Sequence, residues 1–269
     1  MRAAAGAIWP CLVVALGVSP VTDGSVRAEG SDLVSHRAVY TLSLASTRVA
    51  NIVAALSGRM AIEVVDVCDG WTLEQRIGLR IVSPDGSEVD SYTSFTSWES
   101  KDGTQFRFEQ ATKRDGVTIE ELSGRAVLEP GKPGVAHLTK PKEMEIPLPA
   151  GTLFPTRHTE LLIERALAGG NHFLRVVFDG STVDNPNKVS VFIGSPATYP
   201  ALGNGTGTRI GWPIRVAFFS LKQNTPEPDI EIGLILQADG VAREIDLDYQ
   251  GFTIHGELDS YEPLTPPNC

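Results

Sequence analysis

The sequence predicts an all-β, mainly antiparallel fold with one main α-helix. Three observations support this class. Apolar and polar residues alternate over about twelve segments, Asp-Gly pairs separate several of them, and one segment has the three-to-four-residue apolar spacing of a helix. So many antiparallel strands must close or curl to protect their edges, and we therefore expect a barrel-like or wrapped sheet.

The first 28 residues have the layout of a secretory signal. Arg2 gives a positive start, Ala3–Val21 is an apolar run, and Val26-Arg27-Ala28 ends in the small residue that a cleavage site requires. A permanent membrane anchor is the alternative, but it needs about 20 apolar residues, and proline and glycine interrupt this run. We predict a signal peptide over 1–28, a single β domain over 29–269, and no transmembrane anchor after cleavage.

The charge of the chain excludes one class of partner. The formal net charge is −10 at pH 7, and removal of residues 1–28 makes it −11, since Arg2, Arg27 and Asp23 are lost. An acidic chain has no general means of binding a phosphate backbone, so nucleic acid is not expected as a partner. An anionic membrane surface should also repel this protein.

The first half of the mature chain predicts a meander of antiparallel hairpins. Asp69-Gly70, Asp102-Gly103 and Asp115-Gly116 are turn signals between alternating segments, and Ser83–Ser87 is a five-residue loop that contains Pro and Gly. The strands predicted between these turns are Val34–Leu44, Gly58–Cys68, Trp71–Val82, Glu88–Trp98, Thr104–Ala111 and Val117–Leu128.

The second half repeats this pattern after one helical segment. Asp239-Gly240 marks another hairpin turn, and the glycine-rich stretch Gly203–Gly207 is interpreted as a flexible hairpin loop, because no lysine and helix follow it as in a phosphate loop. The predicted strands are Phe173–Phe178, Lys188–Ile193, Arg209–Leu221, Ile230–Leu236, Val241–Tyr249 and Phe252–Tyr261.

One amphipathic helix is predicted among the strands. Thr156 is placed as its N-cap, the helix runs to about Ala168, and Gly169-Gly170 ends it. This helix must bury its apolar stripe against the sheet, either as a plug over the barrel interior or as a movable lid over a ligand cavity. The stripe, which would face a ligand in the second case, consists of Thr159, Leu162, Ile163, Ala166 and Leu167.

The cysteines predict a disulfide between the two ends of the domain. Cys11 lies in the predicted signal, so the mature chain keeps Cys68 and Cys269, with Pro263–Asn268 as an extended strap before the last residue. A loop of about 200 residues gives roughly 5 kcal/mol in the loop-entropy model. A free redox thiol at Cys68 is the alternative, but the neighbouring aspartates would disfavour a thiolate.

No motif in the sequence predicts catalysis or a metal site. The turn Asp179-Gly180-Ser181 lacks the pattern of a serine nucleophile, and Glu143 and Glu145 are interpreted as a solvated face. The five histidines are dispersed, without the spacing of zinc ligands. We therefore predict no catalytic residue, no metal and no cofactor. The histidines are His36, His137, His158, His172 and His255.

Several stretches together resemble the EipB-like family of bacterial periplasmic proteins, over nearly all of residues 31–269. The most specific is Leu-Pro-Ala-Gly-Thr-Leu-Phe-Pro-Thr-Arg-His-Thr at 148–159. Shorter stretches that contribute are Ser35–Tyr40, Ser57–Met60, Cys68–Trp71, Val177–Ser181 and the terminal Cys269.

The resemblance implies a β-spiral, which is an incompletely closed barrel with a helix in its opening and a shape similar to bacterial lipoprotein carriers. It implies a role in maintaining the Gram-negative cell envelope and a stabilising disulfide between Cys68 and Cys269. It implies no catalytic residue, because the family has no established one.

Two functional hypotheses follow. The first is a non-enzymatic periplasmic protein that maintains envelope integrity by binding a partner protein or a lipid or peptide ligand on the spiral. A large dry cavity behind the helix would favour a lipid carrier, and a filled interior would favour a protein-binding scaffold. The second is a secreted enzyme acting on an envelope polymer, which would require convergent acid and base residues in a cleft.

Overall fold

The computed structural model describes residues 33–49, 52–183, 185–222, 226–265 and 267–269. The predicted signal peptide, with Cys11, lies outside these residues. In the described part of the chain, antiparallel strands dominate and one α-helix interrupts them. The prediction of an all-β antiparallel fold with one helix is therefore confirmed.

Fifteen described strands form a single sheet with α1 between β8 and β9. The elements are β1 His36–Thr47, β2 Ala55–Asp66, β3 Gly70–Val82, β4 Glu88–Ser100, β5 Gln105–Arg114, β6 Val117–Val127, β7 Gly134–Lys140, β8 Met144–Leu148, α1 Pro155–Leu167, β9 His172–Val177, β10 Asn187–Ile193, β11 Ala197–Pro200, β12 Thr208–Ser220, β13 Ile230–Gln237, β14 Ala242–Tyr249 and β15 Phe252–Pro263.

The strand order explains why the sheet wraps without closing. It runs β8-β7-β6-β5-β4-β3-β2-β1-β15-β14-β13-β12-β10-β9, and β11 pairs with β12 outside this path. The first and last strands of the chain, β1 and β15, are antiparallel neighbours in the middle of the sheet. The two ends of the order are β8 and β9, which are consecutive strands in the chain and flank α1. The helix therefore connects the two edges of an incompletely closed sheet.

Three described strands were not predicted, and each lacks a strong strand signal. β8 contains a proline in its sequence MEIPL, β11 has only four residues, and β7 has seven between two prolines, Pro133 and Pro141. Proline and short length weaken the alternating pattern from which strands are predicted. These strands form because a neighbour supplies their backbone hydrogen bonds: β7 pairs with β6, β8 pairs with β7, and β11 pairs with β12.

Buried apolar side chains form three clusters along the curled sheet. The first cluster contains residues of α1, β9, β10, β12 and β13. The second contains residues of the five strands from β4 through β8, together with Phe154 and Phe178. The third contains residues of β1, β2, β14 and β15. Each strand contributes alternate residues to its cluster, as expected for a sheet with one buried face. The helix-bearing cluster contains the predicted stripe residues Leu162, Ile163 and Ala166.

The helix begins differently from the prediction and ends as predicted. Phe154, not Thr156, is the N-cap residue, and no side chain of the cap position bonds the first turn. Pro155 is the first residue of the helix, and its fixed φ suits that position. Thr156 is the second residue of the helix. At the other end Gly169 has φ +74°, and the N–H groups of Gly169 and Gly170 bond the carbonyls of Ala166 and Arg165 in a Schellman arrangement.

Candidate functional site at the helix and the terminal disulfide

The stretch 148–159 carries the chain from one sheet edge to the other. Thr152 Oγ1 donates a hydrogen bond to the carbonyl of Pro149 at 2.7 Å and fixes the turn after β8. Leu153 then forms an isolated parallel bridge with Val177 of β9. Its N–H bonds the Val176 carbonyl at 2.9 Å, and its carbonyl accepts the Phe178 N–H at 3.0 Å. This short bridge is the backbone link between the segment after β8 and the β9 edge.

Phe154 anchors this crossing in an aromatic cluster. Its ring is fully buried and lies 5.1 Å from the ring of Phe106, centroid to centroid. Phe108 and Phe178 complete the cluster, with centroid distances of 5.5 to 6.5 Å among the edge-to-face pairs. Aromatic pairs in such geometries add to the burial free energy. The start of α1 is therefore fixed to the sheet by packing as well as by hydrogen bonds.

A buried carboxylate from β4 takes the place of the predicted cap. Glu99 is only 2 % exposed, and its two oxygens accept the backbone N–H groups of Thr156 at 2.7 Å and Arg157 at 2.9 Å. These are donors that the first turn of a helix leaves unsatisfied. Burial raises the pKa of Glu99 to about 7, although both N–H bonds act to lower it.

His158 is the second buried ionisable group at this end of the helix. Its side chain is 8 % exposed, its ring centroid lies 5.5 Å from that of Phe173, and its Nε2 atom has no hydrogen-bond partner among the described residues. Burial, with a smaller effect of the charge on Arg175, lowers the pKa of His158 to about 4. The imidazole is therefore neutral at pH 7.

The predicted stripe of the helix is only partly buried. Leu162, Ile163 and Ala166 are 0 to 5 % exposed and pack against the cluster of β9, β10, β12 and β13. Thr159 is half-buried and its hydroxyl donates to the Pro155 carbonyl at 3.0 Å. Leu167 is 57 % exposed, so its placement in the buried stripe was wrong. The helix ends at this residue, directly after the buried Ala166.

A small cavity borders the start of the helix. It measures about 150 Å³ and lies among Leu33, Trp71, Pro155 and Thr159, with His36 and Asp239 as polar lining. Ligand pockets usually measure about 300–1,000 Å³, so this space is below the usual size for an acyl chain or peptide. Of the stripe, only Thr159 reaches it, while Ile163 is fully buried in packed side chains.

The disulfide joins Cys68 to Cys269 across 201 residues of sequence, with a Cα–Cα distance of 5.7 Å. Cys68 lies in the tight turn between β2 and β3, at φ +71°. Asp66 fixes this turn, because it accepts the Cys68 N–H at 2.9 Å and pairs with Lys101 at 2.7 Å. Both cysteines are exposed at the surface.

The disulfide does not lie at a free edge of the sheet. β15, β1 and β2 are consecutive in the middle of the strand order, and the free edges are β8 and β9. After Pro263 the Leu264 N–H bonds the carbonyl of Ser35, the residue before β1, at 2.8 Å, and Cys269 is bonded to Cys68 in the β2–β3 turn. Cys269 therefore spans two strand junctions, β15–β1 and β1–β2, that backbone pairing already connects.

The other polar groups considered from sequence have ordinary partners. Ser181 donates its N–H to Asp179 Oδ1 at 2.9 Å, which is a local turn bond, and Glu145 lies 3.2 Å from His137 on adjacent strands. Within the described ranges no three His, Cys, Asp or Glu residues cluster as metal ligands. α1, the helix of the described part, is too short and too polar to cross a membrane.

Sequence reasoning missed the buried polar residues Glu99, His158 and Gln237. Glu99 directly follows the predicted strand Glu88–Trp98, and the helix turn that it caps begins 57 residues further along the chain, so no local sequence pattern predicts this contact. His158 and Gln237 each bury a side-chain nitrogen without a partner. The one available signal for His158 was its position in the specific stretch 148–159.

These features define a class of protein: a curled, unclosed antiparallel sheet whose edges are joined by one helix and whose last residue is disulfide-bonded to an early hairpin. The chain belongs to the EipB-like family, whose model matches residues 27–265.

Two relatives from Brucella abortus support this assignment. The cell envelope integrity protein EipB of strain 2308 is 33 % identical over a 234-residue alignment, and the match covers 84 % of this chain and 82 % of that protein. A crystal structure of a β-barrel-like protein of a domain of unknown function superposes with a TM-score of 0.80 at 31 % identity. The superposition covers 87 % of this chain and 99 % of that one.

Proposed function

We propose that this protein maintains cell-envelope integrity in the periplasm as a non-enzymatic scaffold that binds a protein partner on the outside of its spiral. A relative with 33 % identity is named for envelope integrity, which supports the general role. The predicted signal over 1–28 supports the compartment.

The packed space behind the helix is the observation that favours a protein-binding scaffold over a lipid carrier. Leu162, Ile163 and Ala166 contact neighbouring side chains instead of lining a cavity, and the space beside the helix measures about 150 Å³. An acyl chain would need this packed cluster to separate. The hydrogen bonds from Thr156 and Arg157 to Glu99 hold the start of α1 to β4 and oppose such an opening.

Mass spectrometry of the native protein, purified from its own periplasm, tests this choice. We expect the mass of the chain from residue 29 to 269 without a bound lipid or peptide, and cross-linking before lysis should capture a periplasmic protein. A stoichiometric acyl lipid in the native mass would contradict the scaffold and favour a carrier.

A tether between the helix and the sheet tests the same point in the cell. A Cβ at Gly103 would lie 3.4 Å from the Cβ of Arg157, close to the usual Cβ–Cβ range of a disulfide. The double variant Gly103→Cys with Arg157→Cys should therefore fix α1 to the turn after β4. We expect this oxidised variant to restore detergent resistance to a strain that lacks its own copy.

The single variants Gly103→Cys and Arg157→Cys are the matched controls for the tether. They separate the cross-link from the loss of the ion pairs between Arg157 and Glu160 and Glu164. Full complementation by both single variants and failure of the oxidised double variant would show that the helix must move.

An enzyme that acts on an envelope polymer has less support. Glu99 and His158 have displaced pKa values, a feature common at active sites. However, both side chains are more than 90 % buried, and neither borders the cavity beside the helix. A polymer would have no access to them in this arrangement.

A further inference from the structure

A second cleft lies between the loop 201–207 and the end of β15. Its volume is about 520 Å³, within the usual range for small-molecule sites. The loop forms one wall and Tyr261 with Glu262 the other, while Gln237, Asp239 and Arg209 complete the lining. It shares Asp239 with the small cavity beside the helix but contains no residue of α1 and neither cysteine, so an inference from it goes beyond the proposed function.

Gln237 is the unusual residue of this cleft. Leu236 packs in the core beside α1, so its neighbour Gln237 projects from the opposite face of β13. The side chain is 1 % exposed, yet its Nε2 atom has no hydrogen-bond partner among the described residues. An unpaired buried amide destabilises a fold, and packing alone gives no reason for it. A ligand oxygen in the cleft would supply the missing acceptor.

The walls of the cleft offer both donors and acceptors. Arg209 forms no ion pair with a described residue, and its side chain donates only a long hydrogen bond of 3.4 Å to the adjacent Thr208 carbonyl within the described residues. Asp239 contributes a side-chain acceptor to the cleft, and its Oδ1 atom also accepts the Val241 N–H at 3.2 Å. The loop approaches Tyr261 closely at Gly203, where φ is +57° and a Cβ would lie 3.3 Å from the ring.

The charges favour a neutral ligand. Arg209 and Asp239 have opposite signs, and Glu262 is paired with Arg37 at 2.8 Å. With Glu262 paired to Arg37, the remaining charges on Arg209 and Asp239 balance, so the cleft has no net charge to attract an anion or a cation. Hydroxyl groups both donate and accept hydrogen bonds, so they suit this mixture of an amide, a guanidinium, a carboxylate and an aromatic ring.

A peptide strand suits the cleft less well. A peptide could pair only with the end of β15, where residues 258–263 pair with β1 alone because the pairing with β14 ends at Glu257. β13 pairs with β12 and β14, so the strand that carries Gln237 has no free edge. We propose that this cleft binds a short neutral saccharide, with Gln237 and Arg209 as donors to its oxygens and Asp239 as acceptor.

The test uses the mature full chain with three neutral trisaccharides: triacetylchitotriose, maltotriose and cellotriose. Saturation-transfer NMR followed by calorimetric titration should detect binding of at least one of them. Arg209→Ala and Gln237→Met should each weaken that binding at least tenfold. Gln237→Met should also raise the melting temperature of the free protein by about 2–4 °C, because the unpaired amide is removed.

Arg114→Ala and Gln105→Met are the matched controls, since both residues are exposed and lie on other strands. They should bind the trisaccharide like the unmodified protein. The proposal is overturned if none of the three trisaccharides binds, or if Arg209→Ala and Gln237→Met bind as tightly as the controls. Both outcomes leave the helix tether and the captured partner unaffected, so a failure here is distinguishable from a failure of the scaffold.

Discussion

Glu99 and His158 ionise with opposite effects on folding. The pKa of Glu99 is raised from 4.5 to about 7, so between these values the folded state keeps a proton that the unfolded state loses. Stability from this group therefore falls as the pH rises from about 4.5 to 7. The pKa of His158 is lowered from 6.5 to about 4, so stability from His158 is lost as the pH falls across that window.

The variant Glu99→Gln should reduce the loss of stability with rising pH. In the unmodified protein the Glu99 contribution to the free energy of unfolding should fall by about 2–3 kcal/mol between pH 5 and pH 8. Urea unfolding at both pH values measures this change, and it should be absent from the variant. Glu257→Gln, at an exposed position, is the control. An unchanged pH dependence in Glu99→Gln would contradict the role assigned to its burial.

Replacement of Cys68 or Cys269 by serine should destabilise the fold without abolishing it. The closed loop of 201 residues predicts a loss of about 5 kcal/mol in the entropy model, with about 2–5 kcal/mol typical. Thermal melting of each single variant and of the double variant measures the loss. Reduction of the unmodified protein should give the same melting temperature as the double variant, since the disulfide is exposed. Equal melting of oxidised protein and variants would refute a stabilising disulfide.

The helix depends on tertiary contacts at its start and on its own sequence at its end. Pro155 suits the first turn, but the N–H groups that follow are satisfied by Glu99 from a distant strand. At the other end Gly169 alone provides the left-handed residue that a Schellman motif requires. This difference explains why the C-terminal stop was predicted and the N-cap was not.

Two alanine substitutions on α1, one at a buried and one at an exposed position, should differ in their effect on the free energy of unfolding. Ile163→Ala should lower the free energy of unfolding by about 2–5 kcal/mol, because Ile163 is fully buried and a cavity would remain. Leu167→Ala should change it by less than about 0.5 kcal/mol, because Leu167 is 57 % exposed. Chemical denaturation of both variants measures the difference. Similar effects of the two would contradict the packing described for the helix.

At the scale of the whole molecule, the first and last strands of the chain lie at the centre of the sheet, and two strands from the middle of the chain lie at its edges. β1 and β15 pair at the centre of the sheet, while β8 and β9, close in sequence, lie at its edges. Leu153 is the point at which the segment after β8 bonds to β9. The stability of this link determines whether the spiral can open.

Hydrogen exchange of the Leu153 and Phe178 amides should report on opening of the spiral. Both amides form the bridge between the edges, with bonds of 2.9 and 3.0 Å. If the helix is a fixed plug, these amides should exchange as slowly as those of β10. NMR-detected exchange of the native protein gives both rates. Exchange of the bridge amides more than about 100-fold faster, with β10 still protected, would indicate a movable lid.

The strand pattern and the turns were available in the sequence because they depend on residues close in the chain. Alternation predicted strands such as β3 and β4, and Asp-Gly pairs predicted the turns between them. Three strands were not predicted, because short length or proline removes the alternating pattern and because pairing with neighbouring strands stabilises them. They are β7, β8 and β11.

By itself the sequence determined the all-β class, one helix with its glycine stop, and a pair of cysteines at opposite ends of the mature domain. Only the tertiary structure decided that Glu99 caps this helix, that Leu167 is exposed, and that the disulfide lies across the middle of the sheet. The physical reason is distance along the chain. Local periodicity is set by backbone geometry, whereas caps, cavities and sheet edges depend on contacts between residues separated by 50 to 200 positions.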